Sequence, residues 1–241
     1  MDKYWLERTE LLIKEEGLEK LNKANVLVVG LGGVGSFAAE FLARAGVGKM
    51  TVVDGDTVDI TNVNRQLPAL HSTVGKHKVD VVAERLLDIN PQLHLIKINE
   101  FLNPERMEEV LDADTFDFVL DCIDSVTPKL SLIIAAKRRR IKIVSSMGAG
   151  GKTDPSKVLV RDISKTEHCH LARQIRKRLR KVKIDKGIRC VFANDIQDEE
   201  SLKMTDGTNY KRSFYGTISY MPAIFGLYAA AEVINHLIEK D

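Results

Sequence analysis

The sequence predicts an α/β fold: a Rossmann-like, mostly parallel sheet with helices on both faces, extended by a C-terminal portion with further strands and a final helix. Three observations predict it. Short apolar runs alternate with segments of helical periodicity through the first 150 residues. A G-x-G-x-x-G turn, formed by Gly30, Gly32 and Gly35, follows one such run and opens a helix. Asn-Pro and Thr-Pro pairs stand where helices should stop or start.

The elements follow in order. Val26–Val29 is an apolar strand. The next helix runs from about Val34, with apolar residues at 34, 37, 38, 41, 42 and 45. Met50–Val53 is a strand. Gly75–Asn90 reads as a helix with Val79, Val82, Ala83 and Leu86 on one face, stopped at Asn90-Pro91. Leu93–Ile98 is a strand, and Asn103-Pro104 supplies an N-cap and a first-turn proline. Phe116–Cys122 is a strand, Thr127-Pro128 opens a helix, and Ile141–Ser145 is a strand. Strand–helix alternation of this kind builds parallel sheets.

After residue 150 the pattern changes. Val158–Asp162 and Ile188–Phe192 read as strands on either side of a basic helix at about 168–181. Residues 194–212 are polar and aperiodic and are expected to form a mobile loop. A helix over about 221–239 closes the chain. We treat residues 1–241 as a single domain, with a nucleotide-binding half at 1–150 and a substrate-facing half at 151–241.

Composition narrows the function. A hydrophobic content of 44% and a charged content of 29% fit a soluble globular chain. Cys122, Cys169 and Cys190 contain no C-x-x-C pair, which argues against structural zinc. The charged N-terminus lacks the apolar core of a signal peptide. The uncharged run 213–231 contains two Gly, a Pro and three Tyr, so it reads as a buried helix with its entry loop and not a membrane span. No membrane association is expected, and the compartment is read as cytoplasmic.

The glycine turn lets a phosphate approach the backbone at a helix N-terminus. Asp54, at the end of the second strand, can accept hydrogen bonds from ribose hydroxyls. That much fits a nicotinamide dinucleotide as well as ATP. The polar residues beyond Asp54 favour a triphosphate: Asn62, Arg65, Gln66 and Lys78 come within twenty-five residues of it. Asp124 ends a later strand, where a carboxylate suits magnesium.

Gly30-Leu-Gly-Gly-Val-Gly35, Ala45-Gly-Val-Gly48, Asp54-x-Asp56, Asn62-x-x-Arg65-Gln66, Gly75-x-x-Lys78 and Asp121-Cys-Ile-Asp124 together resemble the ubiquitin-activating-enzyme-like superfamily. Its bacterial members include activators of sulfur-carrier proteins in thiamine and molybdopterin synthesis. The resemblance implies ATP and Mg2+ as cofactors and adenylation of a carboxylate. It implies that Asp54 holds the ribose, Asn62 and Arg65 the phosphates, and Lys78 the α-phosphate region, while Asp124 orients magnesium. Gly30, Gly32, Gly33, Gly35, Asp56, Gln66, Ile123 and Ser125 complete the implied nucleotide contacts. It further implies a homodimer in which Arg8 reaches the partner subunit's ATP.

The acceptor is read from the second half. NRQLPALHSTVGKHK, CIDSVTPKLSLI, SSMGAGGKTDPSKV and GTISYMPAIFGLYAAAEVI resemble the branch that acts on tRNA, the threonylcarbamoyladenosine dehydratases. There the adenylated carboxylate belongs to a modified adenosine that closes a ring on itself, so no enzyme thiol is required. tRNA is the implied partner, and a sulfur-transfer protein is a further candidate. Charge supports RNA independently: residues 173–186 carry eight Lys or Arg and one acid, and KRRR at 137–140 adds four more. Arg173, Arg176, Arg178, Arg180 and Lys181 are the expected phosphate contacts.

The main rival is an activator of a ubiquitin-like or sulfur-carrier protein, which would make Cys169, between His168 and His170, a candidate nucleophile. An NAD-dependent oxidoreductase and a non-catalytic RNA-binding scaffold are the others.

Overall fold

The structure is a computed structural model and describes residues 4–204 and 213–239. A seven-stranded sheet organises it, in the order β3-β2-β1-β4-β5-β7-β6. The strands are β1 (Asn25–Val29), β2 (Lys49–Val53), β3 (His94–Ile98), β4 (Phe118–Asp121), β5 (Lys142–Ser146), β6 (Val158–Asp162) and β7 (Arg189–Ala193). All pairings are parallel except β6 with β7. Every residue of β1 is buried, as the middle strand of a doubly covered sheet must be.

Residues alternate between the faces. Val26, Val28 and Leu120 join a core with α2 (Gly35–Arg44), α3 (Lys78–Ile89) and α7 (Tyr220–Glu239). Leu27, Val29 and Val119 join the opposite core with α4 (Pro104–Asp112), α5 (Val126–Arg138) and α6 (His170–Lys181). The first helix, α1 (Glu7–Lys23), packs on α7 and is broken at Lys14, where φ is +65°. Helix α7 is long and apolar enough to cross a membrane. Met221, Phe225, Ala229, Ala230 and Val233 pack its inner face into the core.

From β1 the chain builds β2 and β3 on one side, then returns to build β4, β5 and β7 on the other. The strand order therefore reverses between β1 and β4, and ligands of open α/β sheets bind beyond the strand ends at such a switch point. The glycine turn and Asp124 follow those two strands directly.

Two elements differ from expectation. The helix expected from Gly75 starts at Lys78. Gly75 has φ +85°, and the stretch before the helix pairs backward: Val58 N donates to Lys76 O, and Lys78 N to Asp56 O. That pairing closes an excursion of the chain over residues 56–78. The expected loop 194–212 also carries structure where it is described. Asp198 caps a 3-10 turn at Glu199–Ser201, and β8 (Leu202–Met204) pairs with β9 (Ser213–Tyr215). Three-residue strands are too short to print a period in the sequence. Residues 205–212 lie outside the described residues.

Candidate active site

Steric necessity explains the turn. Gly30 has φ +91°, and a Cβ there would lie 2.9 Å from Cys122 O. A Cβ on Gly35 would collide with the carbonyl oxygen of Gly30. The turn thus lies against the end of β4, and α2 begins under it. Gly33 abuts Pro222 and the Arg65 carbonyl, while Gly32 faces the Gln66 carboxamide. The Oε1 atom of Gln66 is buried without a hydrogen-bond partner, an orphaned polar atom beside the phosphate-type turn.

Asp54 ends β2 and joins the turn. Its carboxylate accepts from Leu31 N at 2.6 Å and from Asp56 N at 2.8 Å. Burial pushes its pKa above the usual value, against the opposing pull of the Lys78 charge and these hydrogen bonds. Lys78 is buried and donates to Asp56 Oδ2 at 2.9 Å. Asn62 Oδ1 accepts from Asp59 N, closing a capping box that shapes the excursion. Arg65 donates to Thr61 O and to Asn64 Oδ1. Burial lowers the Arg65 pKa, and the charge of Asp124 opposes that shift. Asp124 is exposed and follows Ile123, whose N–H donates to Asp121. Ser125 is buried at the N-cap of α5, and its Oγ lies 3.4 Å from Asp124 Oδ1.

The excursion therefore brings Arg65 and Gln66 against the glycine turn and pairs Lys78 with Asp56, beside Asp54, while β4 delivers Ile123, Asp124 and Ser125 to the same turn. These residues suit a nucleotide triphosphate: an open turn, cations and an orphaned amide. Among the described residues no group of three or more His, Cys, Asp or Glu could hold a metal. One carboxylate beside cations suits Mg2+, which binds through few protein oxygens and takes substrate phosphates as further ligands.

Arg8 stands exposed on the first turn of α1. The structure gives Arg8 no contact with this turn.

Sequence reasoning missed a group beneath the site. Lys129 Nζ donates to Asp121 Oδ2 at 2.8 Å, to Ser145 Oγ at 3.2 Å and to Ser146 O at 2.8 Å. Ser145 Oγ donates to the same Asp121 oxygen at 2.6 Å, and neither charged side chain is exposed at all. The signal was present: Lys129 shares the apolar face of α5 with Leu132, Ile133 and Ala136, at i, i+3, i+4 and i+7.

The basic segments need correction. Arg173, Arg178, Arg180 and Lys181 are exposed on α6, opposite the buried Ala172, Ile175 and Leu179. Arg176 differs from these in being half-buried. It turns inward and donates to Thr166 O at 2.7 Å and to Thr166 Oγ1. In KRRR, Arg139 pairs with Asp112 and Glu108 on α4, and Lys137 donates to Gly187 O. Arg139 thus ties α5 to α4, and Lys137 ties α5 to the loop before β7.

The cysteines offer no ready nucleophile. Burial pushes the Cys122 thiol up to about 12 and raises that of Cys190 further. Cys169 is buried and caps α6, its Sγ accepting from Ala172 N at 3.5 Å. Its histidine neighbours reflect a helix start. His168 has φ +46°, and His170 Nε2 lies 3.8 Å from Glu199.

The fold and the turn at its switch point define a doubly wound nucleotide-binding protein. The chain belongs to the ThiF family, whose model matches residues 6–241. It is 41% identical over 239 residues to the tRNA threonylcarbamoyladenosine dehydratase of Bacillus subtilis, covering 96% of this chain and 94% of that protein. The crystal structure of Escherichia coli tRNA N6-threonylcarbamoyladenosine dehydratase in complex with ATP superposes with a TM-score of 0.89 at 34% identity, covering 99% of this chain and 95% of that one. The molybdopterin-synthase adenylyltransferase of Salmonella typhimurium is 38% identical over 130 residues, 54% of this chain and 51% of that protein.

Proposed function

We propose that this protein adenylates the carboxylate of threonylcarbamoyladenosine in tRNA, using ATP, and so drives its cyclising dehydration. The observation that carries this is similarity to dehydratases over nearly the whole chain, where the likeness to a carrier-activating relative spans 54% of it. The buried thiols point the same way, since ring closure needs no enzyme nucleophile.

A carboxylate oxygen attacks the α-phosphorus of ATP and pyrophosphate leaves. A ureido nitrogen of the same substrate then attacks the activated carboxyl carbon, AMP departs, and the nitrogen gives up its proton. Attack on phosphorus surrounded by negative charge requires that charge to be offset and the reactants held in line. In this reading Arg65, Asn62 and Lys78 bind the phosphates, with Asp56 holding Lys78 until ATP arrives. Asp54 orients the ribose, and the turn at Gly30–Gly35 with Gln66, Ile123 and Ser125 receives the rest of the nucleotide. Asp124 would hold Mg2+, which when bound neutralises phosphate charge.

A homodimer completes the site with Arg8 in trans. Tyr4, Leu11 and Leu12, near Arg8, are 83%, 70% and 82% exposed, an apolar surface suited to a second copy of the chain. The cytoplasm, where thiols stay reduced, suits three free cysteines. A sulfur-transfer partner would need an accessible acceptor thiol, and Cys169 and Cys190 are buried.

The test is AMP release from ATP with tRNA bearing threonylcarbamoyladenosine, against a carrier-type Gly-Gly C-terminal peptide. AMP release with the tRNA alone is expected, and it persists in Cys169→Ser and Cys190→Ser. Stimulation by the peptide alone, abolished by Cys169→Ser, overturns the reading.

A further inference from the structure

Beside the nucleotide crevice opens a cavity of about 660 Å3, within the roughly 300–1,000 Å3 of small-molecule sites. Besides Asn64, its walls come from four places: residues 151–153 after β5, Asp195, Ile196 and Asp198 after β7, Ser201, and 216–219 before α7. Backbone bonds lock them together. Gly151 N donates to Gly216 O at 2.8 Å, Asp198 N to Gly151 O at 2.8 Å, and Gly216 N to Ser201 O at 2.9 Å. Tyr220 Oη donates to Thr153 O at 2.9 Å.

Asn64 forms the rim towards the crevice. Its Nδ2 donates to Thr217 O at 3.0 Å, while its Oδ1 accepts from Arg65 at 2.8 Å. One side chain thus separates the cavity from the cation that senses Asp124.

The chemistry of the lining selects a ligand class. Thr153, Ser201, Thr217 and Ser219 bring hydroxyls, and Asp195 and Asp198 bring carboxylates. The lining has one cation among the described residues, Lys152, and it is already saturated. Its side chain is fully buried, with Nζ donating to His168 O at 3.1 Å, Ala193 O at 2.9 Å, Asp195 Oδ1 at 3.1 Å and Asp195 O. A phosphate would meet acids here with no cation to match it. A ligand rich in N–H and O–H donors would meet acceptors.

We propose that this cavity is the acceptor pocket. It takes the uncharged, N–H- and O–H-bearing part of a ureido-substituted nucleoside, and the substrate's carboxylate passes the Asn64 rim to meet Arg65 and ATP. This rests on the function proposed above. The flanking phosphates belong elsewhere. Lys152 ties the cavity floor to His168, two residues before α6, the helix that carries the exposed cations Arg173, Arg178 and Arg180.

The experiment compares Ser219→Phe, which fills the pocket, and Asp198→Asn, which removes a charge but keeps a capping oxygen, with Ser219→Ala. Three quantities are read: kcat/KM for AMP release with tRNA bearing threonylcarbamoyladenosine, ATP affinity by calorimetry, and binding of the free threonylcarbamoyladenosine nucleoside by saturation-transfer NMR. Ser219→Phe is expected to lose about tenfold or more in kcat/KM and to abolish nucleoside binding, with ATP affinity unchanged. Asp198→Asn and Ser219→Ala, which each remove one polar group from the lining, should fall between Ser219→Phe and wild type. Wild-type kcat/KM and nucleoside binding in Ser219→Phe overturn the pocket and leave the reaction standing. A wild-type protein that releases no AMP overturns the reaction instead, and the nucleoside signal of wild type against Ser219→Phe then decides the pocket alone.

Discussion

Two lysines are buried without exposure, one in each half of the chain, and they do opposite kinds of work. Lys129 meets a carboxylate, Asp121, within a sheet whose strands already hold each other. Lys152 meets mainly carbonyl oxygens, those of His168 and Asp195 in loops and that of Ala193 at the end of β7. In the first half a buried charge pins strand ends under a site made by the topology. In the second it ties the loops at Lys152, His168 and Asp195 to the end of β7 and so walls a cavity. A nucleotide site can therefore rest on a switch point, whereas the acceptor pocket proposed here is walled largely by loops, which are free to differ among enzymes that share the ATP chemistry.

The largest expected effect breaks this comparison at its base. Lys129→Met leaves the Asp121 carboxylate buried and unpaired, which costs about 3–5 kcal/mol of stability. Adding Asp121→Asn should recover part of that loss, because the charge goes with its partner. Lys152→Met leaves mostly neutral carbonyls and a partly exposed Asp195, so about 1–3 kcal/mol is expected. The functional consequences should divide as well. The Lys152 variant should raise KM for tRNA at unchanged ATP affinity, and the Lys129 variant should impair ATP-dependent steps first. Denaturant melts and steady-state AMP assays read both. Equal losses in the two variants would erase the distinction.

Within the nucleotide half, position and stability separate. Asp124 is exposed, so Asp124→Asn should change stability by less than about 0.5 kcal/mol. Turnover should fall roughly 10²–10³-fold, as for loss of one preorganised electrostatic group, and the residual rate should respond weakly to added magnesium. A wild-type rate at saturating magnesium removes Asp124 from the site.

The surface of α6 tests the other half. Arg178→Ala and Arg180→Ala should each lower the slope of log tRNA affinity against log salt by about one unit. Arg176→Ala should leave the slope unchanged and destabilise the fold, because its guanidinium is spent on the Thr166 turn. A slope change at Arg176 equal to that at Arg178 would put it back among the phosphate contacts.

Legibility divided along the same line. Strands β1, β2, β4 and β7 were readable because burial on both faces makes them apolar runs, and the glycine turn was readable because sterics at Gly30 and Gly35 admit no other residue. The excursion 56–78 was legible only as a string of polar residues. Its closure by Val58 and Lys76 is backbone bonding, which leaves no side-chain trace. Lys129 could have been found as a lysine at a core position of an amphipathic helix. Lys152 could not, since its partners are carbonyl groups and every residue has one. Arg176 misled for the same reason: a basic run shows charge but not which member faces inward, and only the burial of Ile175 and Leu179 settles that.

The smallest effect concerns Asp54, which joins the turn and is proposed to orient the ribose. Burial raises its pKa in the folded protein, so the native state holds its proton to higher pH than the unfolded chain does. The unfolded state then binds fewer protons between the two values, and stability falls as pH rises through that window. Wild type should lose stability relative to Asp54→Asn from about pH 4 upward, until the raised pKa is passed, and the difference should then stay constant. Ribose hydroxyls donating to the carboxylate favour its charged form, so nucleoside binding should release this proton. Adenosine is the probe, because it lacks the phosphate titration of ATP. Its affinity should strengthen with rising pH through the same window in wild type and stay flat in Asp54→Asn. Parallel pH profiles for the two proteins would mean that Asp54 serves only the hydrogen bonds to Leu31 and Asp56, and that the ribose is held elsewhere.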